Sequence, residues 1–342
     1  NKPLKNIYGK VKYRSTLNWI VTLALTLACI TPARTTPGGN LVTYVNSQNA
    51  TEPSAIMSIA TERAVSMIDS FYRLRHKVAG FNGAVMVSKN GQILYKAAFG
   101  LHDYHTKEVL TTQTPIQLAS VSKPLTATAV LMLAENGFLS VDDTLQKFFP
   151  GFPYKGITVK HLLTHRSGLP EYIYWGKDLV GSDVHYLTNE KLLEVLIKRK
   201  PPVRTQPDRM FLYTNTNYAL LALLVEKVTN LSFGQFMQDY VFNPLGMKNS
   251  FVYDFRDSIY HCGAKCFDAR WRTWQENMTD GVTGDKGIYA SVEDMALFDD
   301  ALRTGKLLNE TTLQEAYAPR SLDRYSFAKE KEKRSEEHTS EL

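Results

Sequence analysis

The chain has 342 residues, 44% hydrophobic and 22% charged, the make-up of a globular protein long enough for one large domain or two interleaved lobes. The formal net charge is +6, but Lys2, Lys5, Lys10, Lys12 and Arg14 stand without an acid in the first eighteen residues and supply most of it. That distribution argues against a nucleic-acid-binding surface, and three cysteines are too few for a structural metal cluster.

The basic start runs into the apolar stretch Trp19 to Ile30 and then into small residues, the layout of a secretory signal. The stretch is shorter than the roughly 20 apolar residues that span a bilayer. Residues 1–33 therefore read as an export segment, and a periplasmic or cell-envelope location is expected. Cys29, after Leu27-Ala28, is a candidate lipid-attachment residue, with cleavage after Ala33 as the alternative. Membrane attachment would run through this segment or through Cys29. Residues 34–53 are polar and turn-rich and read as a linker.

From Pro53 the pattern turns helical, with Ile56, Met57, Ile59, Ala60, Ala64, Met67, Ile68 and Phe71 on one face. Asn90-Gly91 between Ala84–Val87 and Ile93–Tyr95 is a strong hairpin signal, and this hairpin is expected to begin the main sheet. Helices are expected over Ser120 to Asn136, Val159 to Thr164, Thr188 to Lys198, Asn215 to Thr229 and Ser232 to Val241. A further helix starts at Ser291, with Asp294 placed as in a capping box, and stops at Gly305. Strands in front and helices behind indicate an α+β fold rather than an alternating parallel one. Cys262 and Cys266 are close enough for a local disulfide or stand as two separate thiols. The chain begins at Asn1 rather than Met, and Arg334 to Leu342 read as the translation of a sequencing adapter. The domain is accordingly taken as residues 54–333, incomplete at its C-terminal end.

Chemistry concentrates at Ser120 and Lys123. With a helix beginning at Ser120, the hydroxyl and the amine lie one turn apart on the same face, so the amine can take the serine proton if it is uncharged. Burial favours the uncharged form of an amine. The backbone N–H of Ser120, at the helix start, is a candidate oxyanion-hole donor. Ser122 would point elsewhere. Ser-x-x-Lys is weak alone, since Ser326–Lys329 repeats it in a charged tail; the apolar helix behind Ser120 distinguishes the first copy. The second element is Tyr213-Thr214-Asn215: a phenol can relay a proton to a leaving group, and an amide can hold a substrate carbonyl. The structural alternative is a helix capped by Asn215, with Tyr213 in the core.

Five blocks in order resemble the family of class C β-lactamases, DD-peptidases and related serine esterases. They are Ala119–Lys123, Leu162–Leu169, Tyr213–Tyr218, Pro244–Met247 and Gly284–Tyr289. The resemblance covers most of residues 78 to 320. It implies an antiparallel sheet flanked by helices with a mostly helical lobe, the sheet incomplete. It also implies a serine hydrolase forming an acyl-enzyme at Ser120, with Lys123 and Tyr213 catalytic and Asn215 binding substrate. Substrates would be a peptidoglycan peptide, a β-lactam or a small ester, with no metal or other cofactor, and the protein is expected to be a monomer. The competing class is a non-catalytic binding or scaffold member of the same fold; a nucleophile elbow of another hydrolase fold is not found. The family's third motif, Lys or His followed by Thr or Ser and Gly, has no convincing copy: Arg303-Thr304-Gly305 is explained as a helix end. His165 reads as structural, and His161 with it makes too small a set for a metal. Tyr172, Tyr174 and Trp175 either line a cleft or pack. Turnover is expected of the full-length form and not of this chain alone; hydrolysis measured with the 342-residue polypeptide decides that point.

Overall fold

The computed structural model describes residues 59–256, 263–268, 270–274 and 276–320. The export segment, Cys29, the linker, Cys262, Ser326–Lys329 and the residues from 334 onward lie outside the described residues. No helix among the described residues is long and apolar enough to cross a membrane.

Helix α1 (Ile59–Ala79) lies against a hairpin of β1 (Gly83–Lys89) and β2 (Gln92–Phe99). Asn90 and Gly91 both take positive φ, 51° and 80°, the conformation that a two-residue hairpin turn matching strand twist demands. Val65, Ile68 and Tyr72 of α1 pack on Tyr95, Ala97 and Phe99. The inward face of α1 therefore differs from the expected one. Met67 and Phe71 point outward at 72% and 55% exposure, because the helix carries apolar residues on two sides and only one meets the hairpin.

A small hairpin of β3 (Leu101–Asp103) and β4 (Glu108–Val109) follows. β5 (Ile116–Gln117) then leads into a 3-10 turn over Ala119–Val121 and into α2 (Ser122–Glu135). The helical lobe contains α3 (Val159–Leu163), α4 (Lys177–Val180), α5 (Asn189–Arg199), α6 (Asn215–Thr229) and α7 (Phe233–Met237). α7 continues through a π-helical turn, Gln238–Phe242, into α8 (Asn243–Leu245). β6 (Phe251–Val252), β7 (Ile288–Ala290), α9 (Val292–Arg303) and α10 (Glu310–Tyr317) complete the described elements. β5, β7 and β6 form a three-stranded antiparallel sheet in the order β5–β7–β6. The first hairpin stands as a two-stranded sheet among the described residues, not as the edge of a larger one.

α2 and α6 form the centre of the core. Residues 216–225 of α6 are buried without interruption, as are Leu125 to Val130 of α2. A helix apolar on every side belongs inside, and α3, α5 and α7 pack against α6 as α2 does. At the α9 start Ser291 Oγ accepts the Asp294 N–H at 3.1 Å. The expected reciprocal bond is replaced, since the Asp294 carboxylate accepts from Asn249 N and Ser250 Oγ, both at 2.7 Å.

The loop after α3 crosses residues 204–205 with no room to spare. Gly168 has φ +72°, and a Cβ there would lie 2.0 Å from the Thr205 carbonyl oxygen. Gly168→Ala is therefore expected to destabilise the fold by about 3 kcal/mol through left-handed strain and overpacking. A lowered urea midpoint with an unchanged slope checks this.

Candidate active site

The turn before α2 is pinned to β7: Leu118 N–H donates to Ile288 O at 2.9 Å, and Ile288 N–H donates to Ser122 Oγ at 3.2 Å. Ser122 is thus a buried structural hydroxyl. Ala119 takes φ 47°, a left-handed conformation uncommon for a residue with a Cβ. Ser120 follows it, exposed, in the 3-10 turn rather than in the first turn of an α-helix as expected. The constraint from β7 wins over regular helix at this end.

Lys123 is only 2% exposed. Its Nζ lies 3.1 Å from Ser120 Oγ, 2.8 Å from Asn215 Oδ1 and 2.8 Å from the main-chain oxygen of Asp285. The last two can only accept. Tyr213 OH donates to Ser120 Oγ at 2.8 Å, Lys123 Nζ lies 4.8 Å from the centre of the Tyr213 ring, and Tyr213 is 38% exposed. Four residues singled out from sequence therefore meet at one point. Thr214 rather than Asn215 stands at the N-cap of α6, its buried hydroxyl without a hydrogen-bond partner among the described residues. Asn215 is the first helical residue, which turns its amide toward Lys123.

Two acids missed by the sequence reading complete the surroundings. Glu171 Oε2 accepts from Asn215 N at 2.8 Å and from Asn215 Nδ2 at 3.2 Å. Asp285, 2% exposed, accepts from Tyr172 OH at 2.7 Å through Oδ2, while Lys286 Nζ donates to the same phenol at 2.6 Å. Asp285 Oδ1 has no partner among the described residues. Burial pushes the Asp285 carboxyl above the usual carboxylate range, against the opposing pull of Lys286 and Lys123. Burial, then Asp285, pushes the Tyr172 phenol far up. Asp285 sits within one of the quoted blocks and Glu171 two residues after another; only Glu171, in Leu169-Pro170-Glu171-Tyr172-Ile173, carried the signal of a charge amid apolar residues. Gly284, at φ +94°, lets the chain pass so close to α6 that a Cβ would lie 2.6 Å from Tyr218 O. This close passage brings the Asp285 carbonyl to Lys123.

His165 lies under Tyr213 with ring centroids 4.4 Å apart and planes 29° from parallel. Its Nδ1 faces Thr214 N at 3.3 Å and Asn217 Nδ2 at 3.2 Å, both donors, so this nitrogen accepts. Burial, then the charge of Lys123, pulls the imidazole down to about 3. The ring is neutral at ordinary pH and supports the tyrosine, a structural role. His161 Nδ1 accepts from Thr158 N at 3.2 Å in a capping box, and no group of three His, Cys, Asp or Glu among the described residues could hold a metal. Tyr172 and Trp175 pack in the core, whereas Tyr174 is 80% exposed. Arg303-Thr304-Gly305 forms the end of α9, with Arg303 paired to Asp299 and Asp300.

The Beta-lactamase family model matches residues 73–333. The chain belongs to the beta-lactamase family. A penicillin-binding protein of Bacillus subtilis (strain 168) is 32% identical over 254 residues, 70% of this chain and 56% of that protein. A D-aminopeptidase of Brucella anthropi is 29% identical over 238 residues, 69% of this chain and 45% of that protein. The chain spans about half the length of these two relatives. A penicillin-binding protein crystal structure from Bacillus halodurans superposes with a TM-score of 0.63 at 27% identity, covering 72% of this chain and 77% of that one. The beta-lactamase fold accounts for the α+β architecture.

The neutral imidazole has a consequence for stability. The unfolded chain protonates this ring near 6.5, whereas the folded chain resists protonation until about 3. Between those values the unfolded state holds the extra proton, so stability falls as pH falls, by up to about 1.4 kcal/mol per pH unit from this group. His165→Asn keeps an acceptor for Thr214 and tolerates the left-handed backbone (φ 52°). Unfolding free energies measured from pH 7 to 4 should decline less steeply in that variant.

Proposed function

We propose that the protein is a serine hydrolase that forms an acyl-enzyme at Ser120 on an amide or ester substrate. The observation that carries the proposal is the placement of Ser120 Oγ 3.1 Å from Lys123 Nζ and 2.8 Å from Tyr213 OH. A neutral Lys123 has two N–H bonds and one lone pair. Asn215 Oδ1 and Asp285 O accept the two N–H bonds, so the lone pair can face the Ser120 proton.

In the acylation step Ser120 Oγ attacks the substrate carbonyl carbon and its proton passes to Lys123 Nζ. The carbonyl oxygen becomes an oxyanion, and the backbone N–H of Ser120 is the proposed donor to it. As the tetrahedral intermediate collapses, the bond to the leaving nitrogen or oxygen breaks, and Tyr213 OH delivers a proton to that atom. The tyrosinate then recovers a proton from the Lys123 ammonium, whose nitrogen lies 4.8 Å from the centre of the Tyr213 ring, because the acylated Ser120 oxygen has none to pass on. Water then attacks the acyl ester, losing a proton to the same pair, and Ser120 is released with its hydroxyl restored. Asn215 Nδ2 retains one hydrogen beyond its bond to Glu171, which can hold a carbonyl of the substrate.

The penicillin-binding and D-aminopeptidase names of the relatives support a peptide or β-lactam amide. Peptidoglycan peptides, β-lactams and small esters are the proposed substrates. A cell-wall substrate also suits the export segment expected at residues 1–33.

Incubating the full-length protein with a fluorescent penicillin, a fluorophosphonate and a short-chain ester tests the proposal. Covalent label should map to Ser120 and vanish in Ser120→Ala. Lys123→Ala and Tyr213→Phe should slow acylation by about 10²- to 10⁴-fold, the range for a lost proton-transfer group. A folded full-length protein that none of the three reagents modifies would instead be a binding member of the fold.

A further inference from the structure

Resting on that reading, we infer that Glu171 is a positioning residue of the acyl-transfer site, acting through Asn215 to aim Lys123 at Ser120. Glu171 is 8% exposed and lies in the loop between α3 and α4. Its carboxylate has two tasks. Oε1 accepts from Ile173 N at 3.4 Å, closing the short helix that begins at Tyr172. Oε2 accepts from Asn215 N at 2.8 Å and from Asn215 Nδ2 at 3.2 Å.

The first bond to Asn215 satisfies an amide that opens α6, where a helix has unpaired N–H groups and favours negative charge. The second fixes which way the amide faces. With Nδ2 turned to Glu171, Oδ1 faces Lys123 Nζ at 2.8 Å. A flipped amide would set an oxygen against the Glu171 carboxylate and an NH2 against the Lys123 amine donors. Both contacts would be repulsive, so Glu171 and Lys123 together select one orientation. That orientation holds Lys123 between Asn215 Oδ1 and Asp285 O with its Nζ 3.1 Å from Ser120 Oγ. Pinning the turn after Glu171 would not need the carboxylate to reach across to α6. The grip on both nitrogens of one residue is what a positioning role requires.

Acylation rates with fluorescent penicillin are measured for the full-length protein, for Glu171→Ala and Glu171→Gln, and for each change combined with Asn215→Ala. Glu171→Ala should slow acylation by about 10- to 100-fold, as small displacements of a catalytic group do. Glu171→Gln should recover to within about fivefold of the parent, because its Oε1 can accept both Asn215 N–H groups. In the Asn215→Ala background, Glu171→Ala should cost no more than about twofold further, because the residue acts through an amide already gone. A parental rate in Glu171→Ala, a Gln variant no faster than Ala, or fully additive losses would each overturn the inference.

A readout independent of chemistry covers a variant that folds poorly and an inactive parent. Exchange of the Asn215 side-chain NH2 protons, followed by NMR, should be slow in the parent and fast in Glu171→Asp, whose shorter side chain keeps the charge but breaks the grip. Equal exchange in both overturns the inference. An unlabelled parent with slow exchange would overturn the proposed hydrolase while leaving the grip of Glu171 intact.

Discussion

A lysine amine held almost wholly out of water is the constraint around which this structure is arranged. Burying an ammonium without partners costs several kcal/mol, and leaving even a neutral amine unsatisfied is expensive. Lys123 meets acceptors from three separate parts of the chain: Ser120 one turn away, Asn215 at the start of α6 and the main chain of Asp285 before β7. These can converge only if α2 lies against α6 and β7 lies against the turn preceding α2. The packing of the lobe and the pairing of β5 with β7 are therefore two conditions for one side chain.

The layer behind these contacts carries its own costs. Ala119 sits in a left-handed conformation, Thr214 Oγ1 and Asp285 Oδ1 are buried without partners among the described residues, and Gly284 is pressed against α6. Unfavourable features of this kind gather where a fold serves a site rather than its own stability. Asp285 shows the balance well. Its carboxyl is buried where desolvation resists ionisation, yet Tyr172 and Lys286 form a chain of hydrogen bonds that anchors one of its oxygens. The same residue offers its backbone to Lys123. One position thus combines an electrostatic element with a geometric one.

The parts of the fold readable from sequence were those with local causes. The helix from Asn215 to Thr229 follows from an apolar run, the start at Ser291 from a capping hydroxyl, and the first hairpin from Asn90-Gly91. Less readable were strands of two or three residues such as β5 and β6, too short to show alternation and defined only by partners far along the chain. The inward face of α1 was ambiguous because Phe71 and Tyr72 are neighbours and only the hairpin decides which is covered. At the site, Ser120, Lys123, Tyr213 and Asn215 stood out because their residue types carry chemistry at a spacing that a resemblance supports. Glu171 and Asp285 did not, since a carboxylate in a loop looks solvated until the tertiary fold buries it. The contact of Glu171 with Asn215 joins positions 44 residues apart.

The contrast of exposure across the site suits the proposed chemistry. The proposed nucleophile would have to reach a substrate arriving from solvent, and Ser120 is exposed. The proposed base gains from desolvation, which favours an uncharged amine, and Lys123 is 2% exposed. Tyr213, the proposed donor to a leaving group that departs toward water, is exposed at 38%. Residues three apart on a regular helix share a face and would share an environment. Here the 3-10 turn over Ala119–Val121 lifts the serine clear of the core just before α2 carries the lysine into it. The departure from regular helix at Ser120 is therefore what lets two residues so close in sequence differ so widely in solvation while staying within one hydrogen bond.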